Sequence, residues 1–163
     1  MDTGFKEKLF LQSFTNDDVY EILKISQNAA FKTGEFLFKE NDPGNSFIII
    51  ISGNVEVFAI NAHNERVKLA ELFSGHIIGE VSFIDSQPRT ANVIATSDVE
   101  VLLITQDMFE QLEKENISLA IKFIKEMEKL LTERLRDFDQ LLIDFNAVKI
   151  DNSFLQKIST SNT

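Results

Sequence analysis

The order of apolar and polar positions divides the chain into a helical start, a central region of short strands and a helical end. Near the N-terminus apolar residues recur at helical spacing, and Thr15 is placed to cap a helix whose first turn carries Asp17 and Asp18. From Phe31 onward, turns rich in Gly, Asn, Asp and Ser occur at roughly ten-residue intervals, which indicates antiparallel strands. The first helical stripe consists of Phe5, Leu9, Phe10 and Phe14.

Six segments between these turns have the composition of β-strands. Several alternate apolar and polar residues, whereas residues 47–51 are apolar throughout, as in a strand that is covered on both faces. The predicted strands are residues 36–38, 47–51, 55–58, 67–72, 91–95 and 99–104. The pattern predicts a mainly β fold, an antiparallel β-roll (a jelly roll or double-stranded β-helix) over residues 31–104, with helices in residues 1–30 before it.

Helical spacing returns after Thr105. One helix is expected to end near Asn116, which is also a suitable N-cap for the next helix, and no Gly or Pro interrupts the long pattern that follows. We therefore expect two C-terminal helices within residues 106–145. Residues 146–163 are expected to form a tail with a frayed polar end. The apolar residues of that tail are Phe154, Leu155 and Ile158.

The long helix carries two apolar patterns. One repeats every seven residues, as in a coiled coil, and predicts a homodimer seam over residues 117–145 that is interrupted at Glu128. Its members are Ile117, Ile121, Ile124, Leu131, Leu135, Phe138, Leu142 and Phe145. The second set would face the helix's own domain and comprises Ala120, Phe123, Met127, Leu130 and Leu141. The alternative is a single wide stripe that packs entirely on its own β-roll.

Composition narrows the class of protein. A chain of 163 residues accommodates one domain with a single core, and 26 acidic against 16 basic side chains give a formal charge of −10. This charge opposes general attraction to nucleic acid or to an anionic membrane. The sequence has no cysteine, no secretory signal and no apolar segment of membrane-spanning length, so we expect a cytoplasmic protein.

Residues 78–93 are the segment with the clearest chemistry. Gly79 permits close approach of the backbone, and a helical turn that begins at Glu80 would direct N–H groups toward an anion. Arg89 can return beside that turn with a guanidinium that matches phosphate geometry. A carboxylate beside an anion is useful when the ligand also carries a hydroxyl group, as a ribose does. The plainer alternative is a surface ion pair between Glu80 and Arg89.

This segment resembles the phosphate-binding cassette of cyclic nucleotide-binding domains, in which Gly-Glu is followed by small or apolar residues, a spacer, Pro-Arg, a small residue and Ala. Residues 40–57 resemble the turn and hairpin of that family, and Leu72-Phe73-Ser74-Gly75 precedes the cassette at the expected place. The chain is also similar to the sensor half of bacterial catabolite-activator-type regulators. The resemblance implies a cyclic nucleotide as ligand, cyclic AMP in preference to cyclic GMP, and no cofactor.

The resemblance implies a role for each matching position. Gly79 and Glu80 would contact the ribose 2′-hydroxyl. The residues that would surround the phosphate are Val81, Ser82, Phe83, Arg89, Thr90 and Ala91. The apolar positions expected around the purine are Val57, Leu69, Leu72 and Ile77. Positions on the long helix that would cap the base are Leu131, Arg134, Leu135 and Phe138.

The sequence departs from the family pattern at His76 and Ile78, neither of which contacts ligand in that pattern, and Thr90 leaves the choice of base open. The resemblance implies a non-enzymatic sensor that passes ligand binding through its long helix to an unidentified effector protein, with no nucleic acid or membrane as partner. Two alternatives keep the fold: a dimeric scaffold with a degenerate pocket, and the sensor fragment of a larger transcription regulator.

Other candidate features carry little chemistry. His63 and His76 have no further ligands at a metal-site spacing, so neither a metal site nor a cupin-like oxygenase centre is expected. Ser82 has no histidine base at a motif spacing, which argues against nucleophilic catalysis. Gly44 and Gly53 are interpreted as turn residues.

Overall fold

A computed structural model describes the backbone of residues 10–160 and the side chains of residues 10–146. The chain divides into two compact units, Met1–Met127 and Glu128–Thr163. Five predicted apolar positions fall outside this description. Phe5 and Leu9 lie outside the described residues, and so do the side chains of Phe154, Leu155 and Ile158.

Helices flank a central set of strands. The helical segments are the 3₁₀ helix η1 (Phe10–Ser13) and the α-helices α1 (Asn16–Ile25), α2 (Glu80–Asp85), α3 (Gln106–Glu115) and α4 (Ile117–Thr160). The strands are β1 (Gln27–Phe31), β2 (Phe36–Phe38), β3 (Ser46–Ser52), β4 (Asn54–Ile60), β5 (Arg66–Phe73), β6 (Ile77–Ile78), β7 (Asn92–Ala95) and β8 (Val99–Thr105).

The strands form two four-stranded antiparallel sheets. One has the order β1-β8-β3-β6 and the other the order β2-β7-β4-β5. In the first sheet Ile48 lies opposite both Ile78 and Leu103, and in the second Val55 lies opposite both Leu72 and Ala95. The prediction of an antiparallel β-roll with flanking helices is confirmed.

Strand β3 is covered on both faces as far as Ile50, as its apolar run predicted, whereas Ile51 is 43% exposed. Alternate residues of a strand face opposite sides of the sheet, and Ile48 and Ile50 lie in the interior of the roll. Phe47 instead packs its ring against Phe83 and Phe109. The interior cluster comprises Ile48, Ile50, Val55, Leu72, Ile78, Val93, Ala95, Val99 and Val101.

An aromatic cluster joins η1, α2, α3 and the first turns of α4. Phe123 is fully buried at its centre, and its ring centroid lies between 5.1 and 5.9 Å from those of four neighbours. These neighbours are Phe10, Phe14, Phe47 and Phe109. Phe83 of α2 joins through Phe47, at 4.8 Å, and Phe109, at 5.4 Å. Helix α2 is therefore anchored on the same core as the start of α4.

Two helices begin at the caps that the sequence predicts. Thr15 Oγ1 accepts a hydrogen bond from the Asp18 N–H at 3.2 Å, and the Asp18 carboxylate accepts one from the Thr15 N–H at 2.9 Å, which completes a capping box. Asn116 Oδ1 accepts from the Leu119 N–H at 3.1 Å. Both caps satisfy backbone donors that have no partner within the helix.

Three boundaries differ from the sequence prediction. The helical prediction for residues 1–30 is wrong at its end, where β1 pairs with β8 along its whole length. Gln27-Asn28-Ala29-Ala30-Phe31 has little strand preference of its own, so pairing decides its conformation. Strand β6 is absent from the sequence prediction, because two residues are too few to show the alternation of a strand. The expected tail of residues 146–163 is helical as far as Thr160, since no Gly or Pro ends the helix near Phe145.

An ion pair between α1 and the start of α4 makes stability depend on pH. Lys122 Nζ lies 2.6 Å from Asp18 Oδ2, and both side chains are partly buried. The hydrogen bond from Lys122, together with the one from the Thr15 N–H, lowers the pKa of Asp18 below its ordinary value of 3.8. A carboxyl group whose pKa is lowered on folding stabilises the folded state above its unfolded pKa, and this contribution is lost as the pH falls through the folded-state pKa.

We expect Lys122→Met to lower the free energy of unfolding at neutral pH by less than about 1 kcal/mol, because the pair is partly exposed. The variant should also show a weaker loss of stability between about pH 5 and pH 2 than the wild type. Urea unfolding at stepped pH measures both quantities. Lys24→Met is the control, because it removes an exposed pair with Glu21. If the unfolding free energies of the wild type and Lys122→Met fall equally between about pH 5 and pH 2, the Asp18–Lys122 pair is not the source of this pH dependence.

Candidate functional site

The cassette of residues 78–93 folds as a turn, a short helix and a returning loop. Gly79 has a φ of 90°, a left-handed conformation that favours glycine, and it leads the chain from β6 into α2. Helix α2 begins at Glu80, as the sequence predicts, and is followed by Ser86 at a φ of 57°. The loop after α2 brings Arg89 back beside Gly79.

Arg89 is 4% exposed and is held by contacts with three residues. Its Nη1 donates a hydrogen bond to the Gly79 carbonyl at 3.0 Å, and its Nη2 donates to Ser46 Oγ at 2.9 Å. The guanidinium also lies over the ring of Phe38, with Cζ 3.8 Å from the ring centroid. Arg89 Nε is buried and has no hydrogen-bond partner in the part of the chain that the structure describes.

Backbone hydrogen bonds fix the position of the returning loop. The Arg89 N–H donates to the Asp42 carbonyl at 2.9 Å, and the Asn41 N–H donates to the Arg89 carbonyl at 2.9 Å. Ser82 Oγ donates to the Pro88 carbonyl at 3.2 Å. The loop is therefore attached both to the turn before β3 and to α2.

Burial of polar side chains is concentrated at this site. Among the described residues, the buried polar side chains are Ser46, His76, Glu80, Ser82 and Arg89. All except His76 belong to the cassette or contact it. Glu80 is 2% exposed and Arg89 4%, so the interpretation of these two residues as a surface ion pair is wrong. Burying polar groups costs free energy unless they form hydrogen bonds or ion pairs. A cluster of buried polar and charged side chains is therefore typical of a site that binds a polar ligand.

Electrostatics at the site favour an anionic ligand group. Burial lowers the pKa of the Arg89 guanidinium, while the nearby negative charges of Asp42 and Glu80 raise it. Arginine remains protonated in proteins, so the site holds a buried positive charge. An unpartnered N–H on that charge is suited to a phosphate oxygen, since charge-assisted hydrogen bonds are the stronger kind.

The predicted phosphate-binding residues differ in exposure. Ser82 is buried, Val81 and Thr90 are exposed, and Ala91 is intermediate. The ring of Phe83 belongs to the aromatic cluster, and its N–H donates to the Gly79 carbonyl at 3.1 Å. The structure therefore brings Gly79, Glu80, Ser82 and Arg89 together, and it assigns the Phe83 side chain to the core.

The predicted base-pocket residues do not share one surface. Leu72 lies in the interior cluster, and Val57 packs against it. Ile77 is buried, but its neighbour Ile78 faces the interior, so Ile77 faces the other side of the sheet. Leu69 is 56% exposed. The base-capping positions stay predictions, and they lie in the second unit: Leu131, Arg134, Leu135 and Phe138.

Sequence reasoning missed three residues of the site. A Cβ at Gly44 would collide with the Gln87 carbonyl and lie 2.5 Å from Ser82 Cβ, so this glycine lets the turn before β3 pack directly on the cassette. Phe38 and Ser46 contact Arg89. No local pattern points to these contacts, because they arise from the pairing of strands that are distant in the chain.

Two further properties bear on the chemistry of the chain. Among the described residues, no three or more His, Asp or Glu side chains are grouped so that they could hold a metal ion. No helix in the same part of the chain combines the length and the apolar character that a membrane span requires.

The structure places a buried arginine and a buried glutamate on an antiparallel β-roll, and sequence comparison identifies the family of this domain. The family model described as "Cyclic nucleotide-binding domain" matches residues 29–116. The chain belongs to the cyclic nucleotide-binding domain family.

Two curated relatives show the extent of the similarity. The chain is 31% identical over 122 residues to a cAMP-dependent protein kinase regulatory subunit of Emericella nidulans, a match that covers 69% of this chain and 29% of that protein. It is 27% identical over 123 residues to the Cyclic AMP receptor protein of Thermus thermophilus, covering 76% of this chain and 55% of the relative. The matched region therefore spans less than two thirds of either relative.

Solved structures share the fold. A cyclic nucleotide-binding domain from Methylobacillus flagellatus is 30% identical, with a TM-score of 0.73, covering 79% of this chain and 73% of that one. The catabolite activator protein of Thermus thermophilus superposes with a TM-score of 0.75 at 24% identity, covering 85% of this chain and 63% of that one. These likenesses agree with the β-roll and the helices around it.

Gly79 allows a test of the packed geometry. A Cβ there would lie 2.5 Å from Arg89 Nη1 and 3.1 Å from Phe38 Cε2, whereas Gly34 has a similar φ of 89° with nothing within 4 Å of an added Cβ. Gly34→Ala should therefore lower the unfolding free energy by about 1–2 kcal/mol from backbone strain alone. Gly79→Ala should lower it further, because the methyl group displaces Arg89. Urea unfolding of both variants measures the difference, and equal losses would contradict the described packing.

Proposed function

We propose that this chain is a non-enzymatic sensor that binds cyclic AMP, in preference to cyclic GMP, at residues 79–91. The observation that carries the proposal is the buried guanidinium of Arg89, held beside Gly79 with an Nε that has no hydrogen-bond partner among the described residues. A cyclic phosphate supplies the anionic oxygens that such a fork binds in pairs. The family to which the chain belongs supports the same ligand class.

Glu80 complements Arg89 in this proposal. Its carboxylate is 2% exposed at the first residue of α2, and its charge acts on Arg89. A carboxylate accepts hydrogen bonds from hydroxyl groups, so the ribose 2′-hydroxyl is its proposed partner. A ligand that carries a phosphate and an adjacent hydroxyl group can bind Arg89 and Glu80 at the same time. Inorganic phosphate can bind only Arg89.

The preference for cyclic AMP rests on the relatives. The Emericella nidulans protein is named as cAMP-dependent and the Thermus thermophilus protein as a cyclic AMP receptor. The exposed hydroxyl of Thr90 does not itself select a base.

Titration calorimetry with cyclic AMP and cyclic GMP tests the ligand. We expect one nucleotide per chain, with cyclic AMP bound more tightly. Arg89→Lys keeps the charge but loses the planar fork, so affinity should fall by about 10- to 150-fold. Arg66→Lys is the matched control, because Arg66 pairs with Glu56 at 2.6 Å on the β4–β5 hairpin. If neither nucleotide binds the wild type at millimolar concentration, the ligand-free scaffold becomes the better interpretation.

We also propose that α4 joins two copies of the chain and passes the signal to an effector protein. In the first unit Ala120, Phe123 and Met127 are buried, whereas the heptad positions are exposed: Ile117 at 59%, Ile121 at 48% and Ile124 at 40%. In the second unit the exposed heptad positions are Leu135, Phe138, Leu142 and Phe145. The two patterns predicted for the helix thus differ in exposure, with two exceptions. Leu131 of the heptad pattern is only partly exposed, and Leu141, expected on the buried side, is 52% exposed.

A second copy is the partner that this surface fits. Exposed apolar side chains at seven-residue spacing are typical of a helix that pairs with an identical helix, and burying them is favourable. The exposures of Ile117, Ile121 and Ile124, which lie in the first unit, do not agree with the alternative in which the whole stripe packs on its own β-roll. In such a dimer the paired α4 helices could adopt two arrangements. If these arrangements differ in their affinity for the ligand, ligand binding shifts the population toward one of them and so changes the surface that an effector protein contacts.

Sedimentation equilibrium tests the dimer. Leu135→Glu should weaken it by burying a charge at the seam, and Glu128→Leu should tighten it by removing the polar interruption. Leu23→Glu is the control, because it makes the same change at a leucine that is 50% exposed on α1. A wild type that is monomeric at tens of micromolar, with and without nucleotide, would remove the dimer from the proposal.

A further inference from the structure

The hydrogen bonds of Arg89 leave one edge of its guanidinium for a ligand. A guanidinium carries its five N–H groups in a fixed planar fork, and Nε and Nη2 point from the same edge. Nη1, on the other side, donates to the Gly79 carbonyl at 3.0 Å. Nη2 donates one of its two hydrogens to Ser46 Oγ at 2.9 Å, and Nε has no hydrogen-bond partner among the described residues. A side-chain hydroxyl therefore holds the nitrogen that shares the ligand-facing edge with Nε.

Stacking alone does not orient this fork. The ring of Phe38, 3.8 Å from Arg89 Cζ, holds the plane of the guanidinium, but a stacked cation can still turn and slide within that plane. Hydrogen bonds in the plane remove this freedom. One comes from the backbone at Gly79, and the other depends on the side chain of Ser46.

Ser46 is held rigidly enough for this role. It is 8% exposed and is the first residue of β3, where it pairs with Thr105 of β8. Phe47, the next residue, is fully buried in the aromatic cluster. A hydroxyl on a buried strand keeps its place better than one on a loop.

We propose that Ser46 is a positioning residue, whose hydroxyl holds Arg89 so that the Nε/Nη2 edge faces the phosphate of a bound nucleotide. This inference rests on the proposed function. Nη2 has two hydrogens, so it donates one to Ser46 and one to the phosphate, while Nε donates to a second phosphate oxygen. Without the Ser46 hydroxyl, the Arg89 guanidinium can turn in its plane. Nε and Nη2 then no longer point at two oxygens of the phosphate.

Nucleotide affinity provides the first measurement, by calorimetric titration with cyclic AMP. Ser46→Ala should bind about tenfold more weakly than the wild type, and Ser46→Thr, which restores a hydroxyl, should bind within about threefold of it. Ser74→Ala is the matched control, because its hydroxyl donates to the Ile51 carbonyl at 2.7 Å, away from Arg89. In an Arg89→Lys background, Ser46→Ala should cause no further loss, since the two residues act as one unit.

The NMR signal of the Arg89 Nε–Hε group provides the second measurement and needs no ligand. The signal is identified by its absence in Arg89→Lys. In the empty protein, Ser46→Ala should shift or broaden it, and Ser46→Thr should restore it. Cyclic AMP should move it downfield in the wild type, because Nε gains an acceptor.

The two measurements separate the failure of this inference from the failure of the proposed function. If the wild type binds cyclic AMP and Ser46→Ala binds equally well, Ser46 does not position Arg89. If the wild type binds neither cyclic AMP nor cyclic GMP, the sensor proposal fails. The Arg89 Nε–Hε signal of the nucleotide-free protein then tests by itself whether Ser46 holds Arg89. An unchanged Arg89 signal in Ser46→Ala would overturn the positioning role, and a change that Ser46→Thr reverses would support it.

Discussion

The burial of a positive charge at Arg89 is the constraint around which the site is arranged. The Arg89 side chain is 4% exposed and has lost most of its contacts with water, so neighbouring protein groups must replace those contacts. Gly79 offers a carbonyl from a left-handed turn, Ser46 offers a hydroxyl from β3, and Phe38 offers the face of its ring from β2. Three separate segments of the chain therefore meet at one guanidinium. The proposed ligand phosphate would supply a contact for Nε, which has none in the described part of the chain.

The cassette is also attached to the aromatic cluster through Phe83. Phe83 follows Ser82 on α2 and packs on Phe47 and Phe109, which in turn contact Phe123 at the start of α4. Because close-packed interiors resist continuous deformation, a displacement of α2 requires these rings to repack. The aromatic cluster thus forms a packed connection between the cassette and the first turns of α4.

The acidic surface makes the site depend on short-range contacts. With a formal charge of −10, the chain as a whole repels an anionic nucleotide, so long-range steering does not assist its approach. Salt screens repulsion between exposed charges beyond about 10 Å, whereas the buried fork of Arg89 is screened much less. The proposed nucleotide binding would therefore be decided by geometry within hydrogen-bonding distance, so the orientation of Arg89 is central to the proposal.

The sequence by itself determined the features that depend on near neighbours. The caps at Thr15 and Asn116, the start of α2 at Glu80 and the period of the roll's strands all follow from residues a few positions apart. The cassette motif also predicts that Glu80 and Arg89 lie close together. Only the tertiary structure decided the strand conformation of β1, the burial of the Glu80 and Arg89 side chains, and the convergence of Phe38, Gly44 and Ser46 on the cassette. These features depend on pairing between strands and turns that are distant along the chain, and no local pattern encodes which distant partner a residue will meet.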